Sequence, residues 1–176
     1  DDIARDMGVD RARMRLVHVG VDTDLFQPRP EVTRIPGRLI TTASADVELK
    51  GLRFLLEAMA KLRTERPEVT LTVIGRPKEG GESARTIAEL GLTDAITFVS
   101  GVTDERIVEL YSEAEAAVVP SLYEGFSLPA IEAMSCAIPL VATTGGAIPE
   151  VVGPDGVTAF SVPPGDSEAL AAKIAW

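Results

Sequence analysis

Residues 116–149 read AAVVPSLYEGFSLPAIEAMSCAIPLVATTGGAIP and carry the strongest indication of how this chain folds. A short apolar run at 116–119 leads into a loop with Gly, Ser and Pro, and a helical pattern begins near Pro129. A second apolar run follows at 139–142. Short runs that are apolar on both faces are typical of strands in a parallel sheet covered by helices on both sides. The stretch therefore predicts a β-α-β unit.

The same alternation continues on both sides of this unit. Apolar stripes with helical spacing lie at 52–62 and at 107–114, where Thr103 is a candidate N-cap, and a last helix is predicted after Asp166. Strands that alternate with helices predict an α/β fold, here a doubly wound, Rossmann-like parallel sheet of about six strands. The other strand candidates are 39–42, 69–74, 95–99 and 158–162.

The composition limits the class of protein. With 17 Lys and Arg against 27 Asp and Glu among 176 residues, the net charge is −10 at pH 7, which argues against nucleic acid as a partner. The single Cys excludes an internal disulfide and favours a cytoplasmic location, with peripheral attachment of the full-length protein to a membrane left open. No apolar run approaches about 20 residues, so no transmembrane segment is expected.

Several common kinds of site are also disfavoured. One His and one Cys are too few for a structural zinc site, and no metal is expected. His18, between two valines, is interpreted as a packed or linker residue, and Cys136 as a small buried one. The chain has no G-x-S-x-G, no G-x-G-x-x-G after a strand and no P-loop, so it lacks the signatures of a serine hydrolase, a dinucleotide-binding fold and a P-loop NTPase.

Two acidic residues mark the expected ligand site. Glu124 and Glu132 are the only charged residues in 116–149, and a buried carboxylate is costly unless it has a partner. Ligands of doubly wound sheets bind at the carboxyl ends of the strands, which is where both residues are expected. The stretch 125–129 lies between them at a helix N-terminus, where the backbone N–H groups that precede Pro129 suit a phosphate. The alternative is that Glu132 faces solvent and Glu124 is only a loop charge.

Other loops at this edge of the sheet supply further candidates. Lys50, before Gly51, ends the loop after the first strand, where its ammonium group is placed either to reach a phosphate or to remain solvated. Arg76 follows the second strand and is a weaker ligand candidate. Gly145 and Gly146 indicate a tight turn or a close approach of the backbone to a ligand.

The stretch 119–152 contains the E-x7-E spacing of Glu124 and Glu132, and the first Glu stands in the context Pro-Ser-Leu-Tyr-Glu-Gly-Phe. This stretch closely resembles the signature of retaining glycosyltransferases of the GT-B architecture, family four. The likeness extends from about Gly20 to the end of the chain. In such enzymes the C-terminal Rossmann-like domain holds a nucleotide-sugar donor, and the N-terminal domain holds the acceptor. The resemblance therefore implies a sugar transferase that uses a nucleoside-diphosphate sugar as substrate and needs neither a cofactor nor a metal.

The resemblance also implies a role for each candidate residue. Glu124 would be the catalytic residue beside the donor sugar, and Glu132 would bind the ribose hydroxyls. Arg76 and Val102 would lie near the base, whose identity the sequence does not encode. The residues implied to hold the donor sugar and its phosphates are Lys50, Ser44, Gly125, Phe126, Ser127 and Leu128.

One departure from the family pattern keeps alternatives open. The family usually has Gly-Arg after the first strand, and that Arg helps to hold the diphosphate, whereas the loop 42–50 contains no Arg. A noncatalytic, nucleotide-sugar-binding or regulatory relative is therefore one alternative. A flavodoxin-like interaction domain, in which both glutamates are incidental, is the other.

The ends of the chain suggest a piece of a longer protein. Its first residue is Asp rather than Met, and its last helical pattern stops at Trp176. We expect residues 1–36 to be an interdomain linker with a remnant of an N-terminal domain, and 37–176 to be the nucleotide-sugar-binding domain. The acceptor would be bound by the missing N-terminal domain, so the chain alone is expected to be inactive. The sequence does not indicate an oligomeric state.

Overall fold

A six-stranded parallel sheet organises the computed structural model, which describes residues 2–15, 17, 19–43 and 47–175. The strand order is β3-β2-β1-β4-β5-β6, which is the doubly wound order of Rossmann folds. The predicted fold class is confirmed. The strands are β1 (Arg38–Thr42), β2 (Thr70–Ile74), β3 (Ile96–Val99), β4 (Ala116–Val119), β5 (Leu140–Thr143) and β6 (Phe160–Val162).

Seven α-helices accompany the strands in the described part of the chain. Four of them were predicted from the sequence, and two of these have the expected caps. The Thr103 hydroxyl accepts a hydrogen bond from the N–H of Arg106, and the Asp166 carboxylate accepts one from the N–H of Ala169. The helices are α1 (Asp2–Met7), α2 (Leu52–Glu65), α3 (Glu82–Glu89), α4 (Asp104–Glu113), α5 (Leu128–Ser135), α6 (Ile148–Val152) and α7 (Ser167–Ala175).

The core has two halves, one on each face of the sheet. On one face, α2, α3 and α7 cover the sheet through residues such as Leu55, Ile87 and Leu170. On the other face, α4, α5 and α6 do so through residues such as Val108 and Ile148. Because both faces are covered, the central strands are apolar on both sides, which explains why they were recognisable as short apolar runs.

The strand order reverses direction at β1. From β1 the chain adds β2 and β3 on one side, and then returns to place β4 on the other side of β1. The connections leaving the carboxyl ends of β1 and β4 therefore run to opposite faces of the sheet, and such a switch point is where doubly wound folds bind ligands. The loop after β1 and the loop after β4 lie at this point.

The segment before β1 packs against the sheet-and-helix body. Phe26 is only 7% exposed and belongs to the core half under α4 and α5. The N–H of Ile35 donates to the carbonyl of Glu113 at 2.9 Å, and Arg34 donates to the carbonyl of Ala137 at 2.7 Å. The proposed division at residue 36 into a linker and a domain stays a prediction.

Two residues discussed from the sequence, His18 and Ser44, lie outside the described residues. Across the described ranges, no helix has both the length and the apolar character that crossing a bilayer requires.

Candidate functional site

The loops after β1 and β4 are joined directly at the carboxyl edge of the sheet. The loop after β1 ends in a 3-10 turn at Glu48–Lys50, which Gly51 closes with a φ of +65°. The N–H of Leu122, in the loop after β4, donates to the carbonyl of Leu49 at 2.8 Å. The two loops are therefore held in register, and Lys50 projects from the first towards the second.

Lys50 and Glu124 form an ion pair across this junction. The Nζ of Lys50 lies 2.8 Å from Oε1 of Glu124, and the hydroxyl of Ser121 donates to the same oxygen at 2.8 Å. The Glu124 side chain is 11% exposed and that of Lys50 is 29% exposed. The positively charged partner that Glu124 requires thus comes from outside the stretch 116–149. The structure brings together Lys50 and Glu124, which were predicted separately as site residues.

Three glycines allow the loop after β4 to pack against its neighbours. A Cβ on Gly51 would lie 2.0 Å from the carbonyl oxygen of Pro120, and one on Gly145 would lie 2.5 Å from that of Leu122. A Cβ on Gly146 would lie 2.3 Å from the carbonyl oxygen of Glu124. The close approach predicted as one option for Gly145 and Gly146 is therefore an approach to the protein's own backbone, and it positions Glu124.

A run of N–H groups without acceptors follows Glu124. Among the described residues, no hydrogen-bond acceptor faces the N–H groups of Gly125, Phe126, Ser127 and Leu128, at the start of α5. Ser127 is fully buried, and its hydroxyl also has no partner within the described part of the chain. Unpaired donors at a helix N-terminus form an anion-binding arrangement, and Pro129 fits the first turn because it needs no acceptor.

Glu132 lies on α5, next to a buried tyrosine. Its Oε2 accepts a hydrogen bond from the hydroxyl of Tyr111 at 3.3 Å. Burial raises the pKa of Glu132 above its ordinary value, and the charge of Asp104 adds to the rise, while the Tyr111 hydrogen bond opposes it. Burial of this kind is typical of functional carboxylates, although structural ones show it too.

The remaining predicted residues lie on the same edge but farther along the sheet. Arg76 follows β2 and is exposed, and Val102 follows β3 and is partly buried. No described contact joins either residue to Glu124 or Glu132. Across the described ranges, no three His, Cys, Asp or Glu side chains come together as metal ligands.

Sequence reasoning missed two residues that hold the acidic pair. Ser121 donates a hydrogen bond to Glu124, and its signal was the position directly after Pro120, the residue that follows β4. Tyr111 contacts Glu132, but its place in the apolar stripe of α4 marked it only as a core residue. The Ser121–Glu124 contact depends on the conformation of the loop after β4, and the Tyr111–Glu132 contact depends on how α4 and α5 pack.

A family model described as "Glycosyl transferases group 1" matches residues 36–176. The chain belongs to the group 1 glycosyltransferases. The match includes every element that surrounds the site described above. It sets aside the alternative of a flavodoxin-like domain in which the two glutamates are incidental.

Individual group 1 glycosyltransferases resemble the chain over most of its length. The MMP alpha-(1->4)-mannosyltransferase of Mycolicibacterium hassiacum is 48% identical over 173 residues, which are 98% of this chain and 41% of that relative. The C-terminal domain of the glycosyl transferase LpcC from Francisella tularensis has a TM-score of 0.74 and 27% identity, covering 89% of this chain and 86% of that one. Anabaena HepE, solved in complex with UDP, has a TM-score of 0.80 and 25% identity, covering 97% and 49%.

The matches also define how much of a glycosyltransferase is present. The chain spans less than half the length of the curated relatives it matches, 41% and 36% for the first two. The six-stranded sheet corresponds to the C-terminal domain of GT-B glycosyltransferases.

Proposed function

We propose that the chain is the donor-binding half of a retaining glycosyltransferase, which moves a sugar from a nucleoside diphosphate to a hydroxyl acceptor. The observation that carries the proposal is the meeting of Lys50, Glu124 and the unpaired N–H groups of 125–128 at the point where the strand order reverses. Membership of the glycosyltransferase family and the likeness to a UDP-bound relative support the same assignment.

The charges at this point suit the chemistry of sugar transfer. As the bond between the anomeric carbon and the phosphate oxygen breaks, negative charge develops on the diphosphate and positive charge on the sugar. Lys50 and the N–H groups at the start of α5 are suited to stabilise the first, and Glu124 the second. In the structure Lys50 and Glu124 are paired with each other, so a bound diphosphate would compete with Glu124 for Lys50.

Glu132 is the proposed ribose ligand. It lies one turn into α5, after the N–H groups proposed to hold the phosphates, and its half-buried carboxylate has a free oxygen, Oε1, in the described structure. A carboxylate accepts two hydrogen bonds from adjacent hydroxyls, such as those of a ribose ring. Arg76 and Val102 would lie towards the base, on the loops that follow β2 and β3.

The acceptor is proposed to bind residues outside this chain. Its hydroxyl oxygen would form the new bond to the anomeric carbon as the bond from that carbon to the phosphate oxygen breaks, and the hydroxyl proton would pass to the departing nucleoside diphosphate. Retention means that the new bond has the configuration of the old one. No metal or cofactor enters the proposed reaction, and the residues described above account for each charge that develops.

The complete gene product tests this proposal with a panel of UDP-, GDP- and ADP-sugars. Calorimetry with UDP, GDP and ADP identifies the nucleotide, and NMR of the anomeric proton in the product identifies retention or inversion. Glu132→Ala should weaken nucleotide binding by roughly ten- to a hundredfold, since a hydrogen bond to a charged group contributes about 1.5–3 kcal/mol. Glu89→Ala, at the exposed end of α3, is the matched control and should bind as the unchanged protein does.

The outcomes separate the proposal from its alternative. Nucleotide binding without transfer to any acceptor would favour the noncatalytic relative that the Arg-free loop suggests. Inversion at the anomeric carbon would contradict retention, and equal binding by Glu132→Ala would contradict the ribose assignment. Transfer by residues 1–176 alone would contradict the need for an acceptor-binding half.

A further inference from the structure

A buried phenol connects three elements beneath the proposed ribose site. Tyr111, on α4, is 1% exposed. Its hydroxyl lies 3.3 Å from Oγ1 of Thr42, at the end of β1, and 3.3 Å from Oε2 of Glu132 on α5. The carbonyl oxygen of Pro129, in the first turn of α5, is 3.4 Å away. The Tyr111 hydroxyl thus lies beside the strand and both helices at the switch point.

The chemistry of the four groups sets the direction of the hydrogen bonds. An ionised Glu132 and the Pro129 carbonyl can only accept, so the single phenolic proton points towards them. The Thr42 hydroxyl is then the donor to the Tyr111 oxygen. Burial raises the pKa of Tyr111 far above its ordinary value, so the phenol keeps this proton at neutral pH. The result is a donor chain that runs from Thr42 through Tyr111 to Glu132.

This series of hydrogen bonds restrains the Glu132 carboxylate, which has no other side-chain partner among the described residues. Among the described residues, no Lys or Arg pairs with Glu132, and Tyr111 is the side chain that donates to it. The distances are longer than the roughly 2.7–2.8 Å of the best O–H···O bonds, so the contact acts more on orientation than on strength. With Oε2 held by Tyr111, Oε1 is left to meet a ligand.

We propose that Tyr111 is a positioning residue, which orients the Glu132 carboxylate towards the vicinal 2′ and 3′ hydroxyls of the donor nucleotide and so gives the site its selectivity for ribose. The inference rests on the proposed role of Glu132 as the ribose ligand. A positioning role of Tyr111 has a consequence for nucleotide binding that a role in packing alone would not have. Removing the phenolic oxygen should affect nucleotides that carry both ribose hydroxyls and spare those that lack them.

Calorimetry on the complete gene product tests this with UDP, GDP and ADP and with their 2′,3′-dideoxy counterparts. The unchanged protein should prefer the ribonucleotide by roughly tenfold or more, from hydrogen bonds to a charged group. Tyr111→Phe keeps the ring and should reduce this preference to less than about threefold, while affinity for the dideoxy compound stays the same. Ser112→Ala is the matched control, since it removes another buried hydroxyl of α4, one that bonds to the Val108 carbonyl.

Two further variants separate this inference from the proposed function. Glu132→Ala should lose the preference, and the double variant with Tyr111→Phe should lose no more. If Tyr111→Phe does not fold, Thr42→Val interrupts the same series of hydrogen bonds. This variant should lower the preference for the ribonucleotide over the dideoxy compound by a factor of about two to five. The inference is overturned if folded Tyr111→Phe prefers the ribonucleotide as strongly as the unchanged protein does. Where Tyr111→Phe does not fold, the same result for Thr42→Val overturns it. If the unchanged protein binds none of the three nucleotides, the proposed function itself fails, and if Glu132→Ala keeps the preference, the proposed role of Glu132 as the ribose ligand fails.

Discussion

The ammonium group of Lys50 lies 2.8 Å from Oε1 of Glu124, and the two residues come from loops on either side of the strand-order reversal. The pair holds a nearly buried carboxylate at the edge of the sheet and at the same time ties the two loops together. Because the contact belongs to both the site and the fold, substitutions of Lys50 and Glu124 should be coupled in their effects on stability as well as on activity.

Lys50→Ala and Glu124→Ala should therefore be coupled in urea unfolding. Each removes one partner of a largely desolvated pair, so we expect a coupling energy of about 1–2 kcal/mol in the double-mutant cycle. The control is the Arg53–Glu57 pair on α2, whose Arg side chain is 63% exposed. Exposed pairs of this type contribute about 0.3–0.5 kcal/mol. Equal coupling in the two cycles would contradict the structural role of the Lys50–Glu124 pair.

The glycine at position 51 should be irreplaceable for two separable reasons. Gly51→Ala brings a Cβ to 2.0 Å from the Pro120 carbonyl oxygen and also requires a φ of +65°. Gly91 has a φ of +66° but open space around it, and Gly145 has the close approach without the positive φ. We expect a loss of about 1 kcal/mol for Gly91→Ala and of about 3 kcal/mol or more for Gly51→Ala. Urea midpoints measure the series, and a Gly51→Ala loss no larger than that of Gly91→Ala would contradict the clash.

Local sequence rules predicted the elements whose signals are local. The β4–α5–β5 unit was visible because its strands are apolar on both faces and Pro129 suits a first helical turn. Helix α6 was missed because its five residues, Ile148–Val152, are too few to show a helical period. Helix α3 was missed because only two of its residues, Ser83 and Ile87, are buried.

The sequence indicated candidate residues for the site but not the contacts that these residues make with each other. The E-x7-E stretch was expected to place Glu124 in the loop after β4 and Glu132 on the next helix, and in the structure they lie in that loop and on α5. The pairing of Glu124 with Lys50 joins residues 74 positions apart, and it depends on β1 and β4 being neighbours. That adjacency is a property of the whole sheet order, which no single motif encodes.

Cys136 should be chemically silent in the folded protein. Its side chain is buried, with 2% of the residue exposed, and burial together with the charge of Glu132 raises the pKa of the thiol to about 11. The thiolate is the reactive form, so iodoacetamide at about pH 8 should leave the native protein unlabelled. Mass spectrometry should show full labelling of Cys136 once guanidinium chloride unfolds the chain. Rapid labelling of native Cys136 would contradict the packing of α5.

Glu132→Gln should stabilise the fold while it weakens the proposed nucleotide site. Because burial raises the folded pKa of Glu132 above its ordinary value of 4.5, its ionisation costs folding free energy. The contribution of Glu132 to stability is therefore fully present below its ordinary pKa and is lost as the pH rises through the folded pKa. Glutamine carries no charge and still accepts from Tyr111, so this variant should have the higher melting temperature at about pH 7.

The advantage of Glu132→Gln should shrink towards about pH 4, where the unchanged residue becomes protonated and the two side chains are alike in charge. Comparing the two proteins at each pH isolates Glu132 from the carboxylates of Glu68 and Glu105, whose pKa values are lowered and which are common to both. Calorimetric scans at the two pH values measure the effect, with Glu89→Gln as an exposed control. A lower melting temperature for Glu132→Gln at about pH 7 would mean that the carboxylate is a stabilising group rather than one retained at a cost for binding.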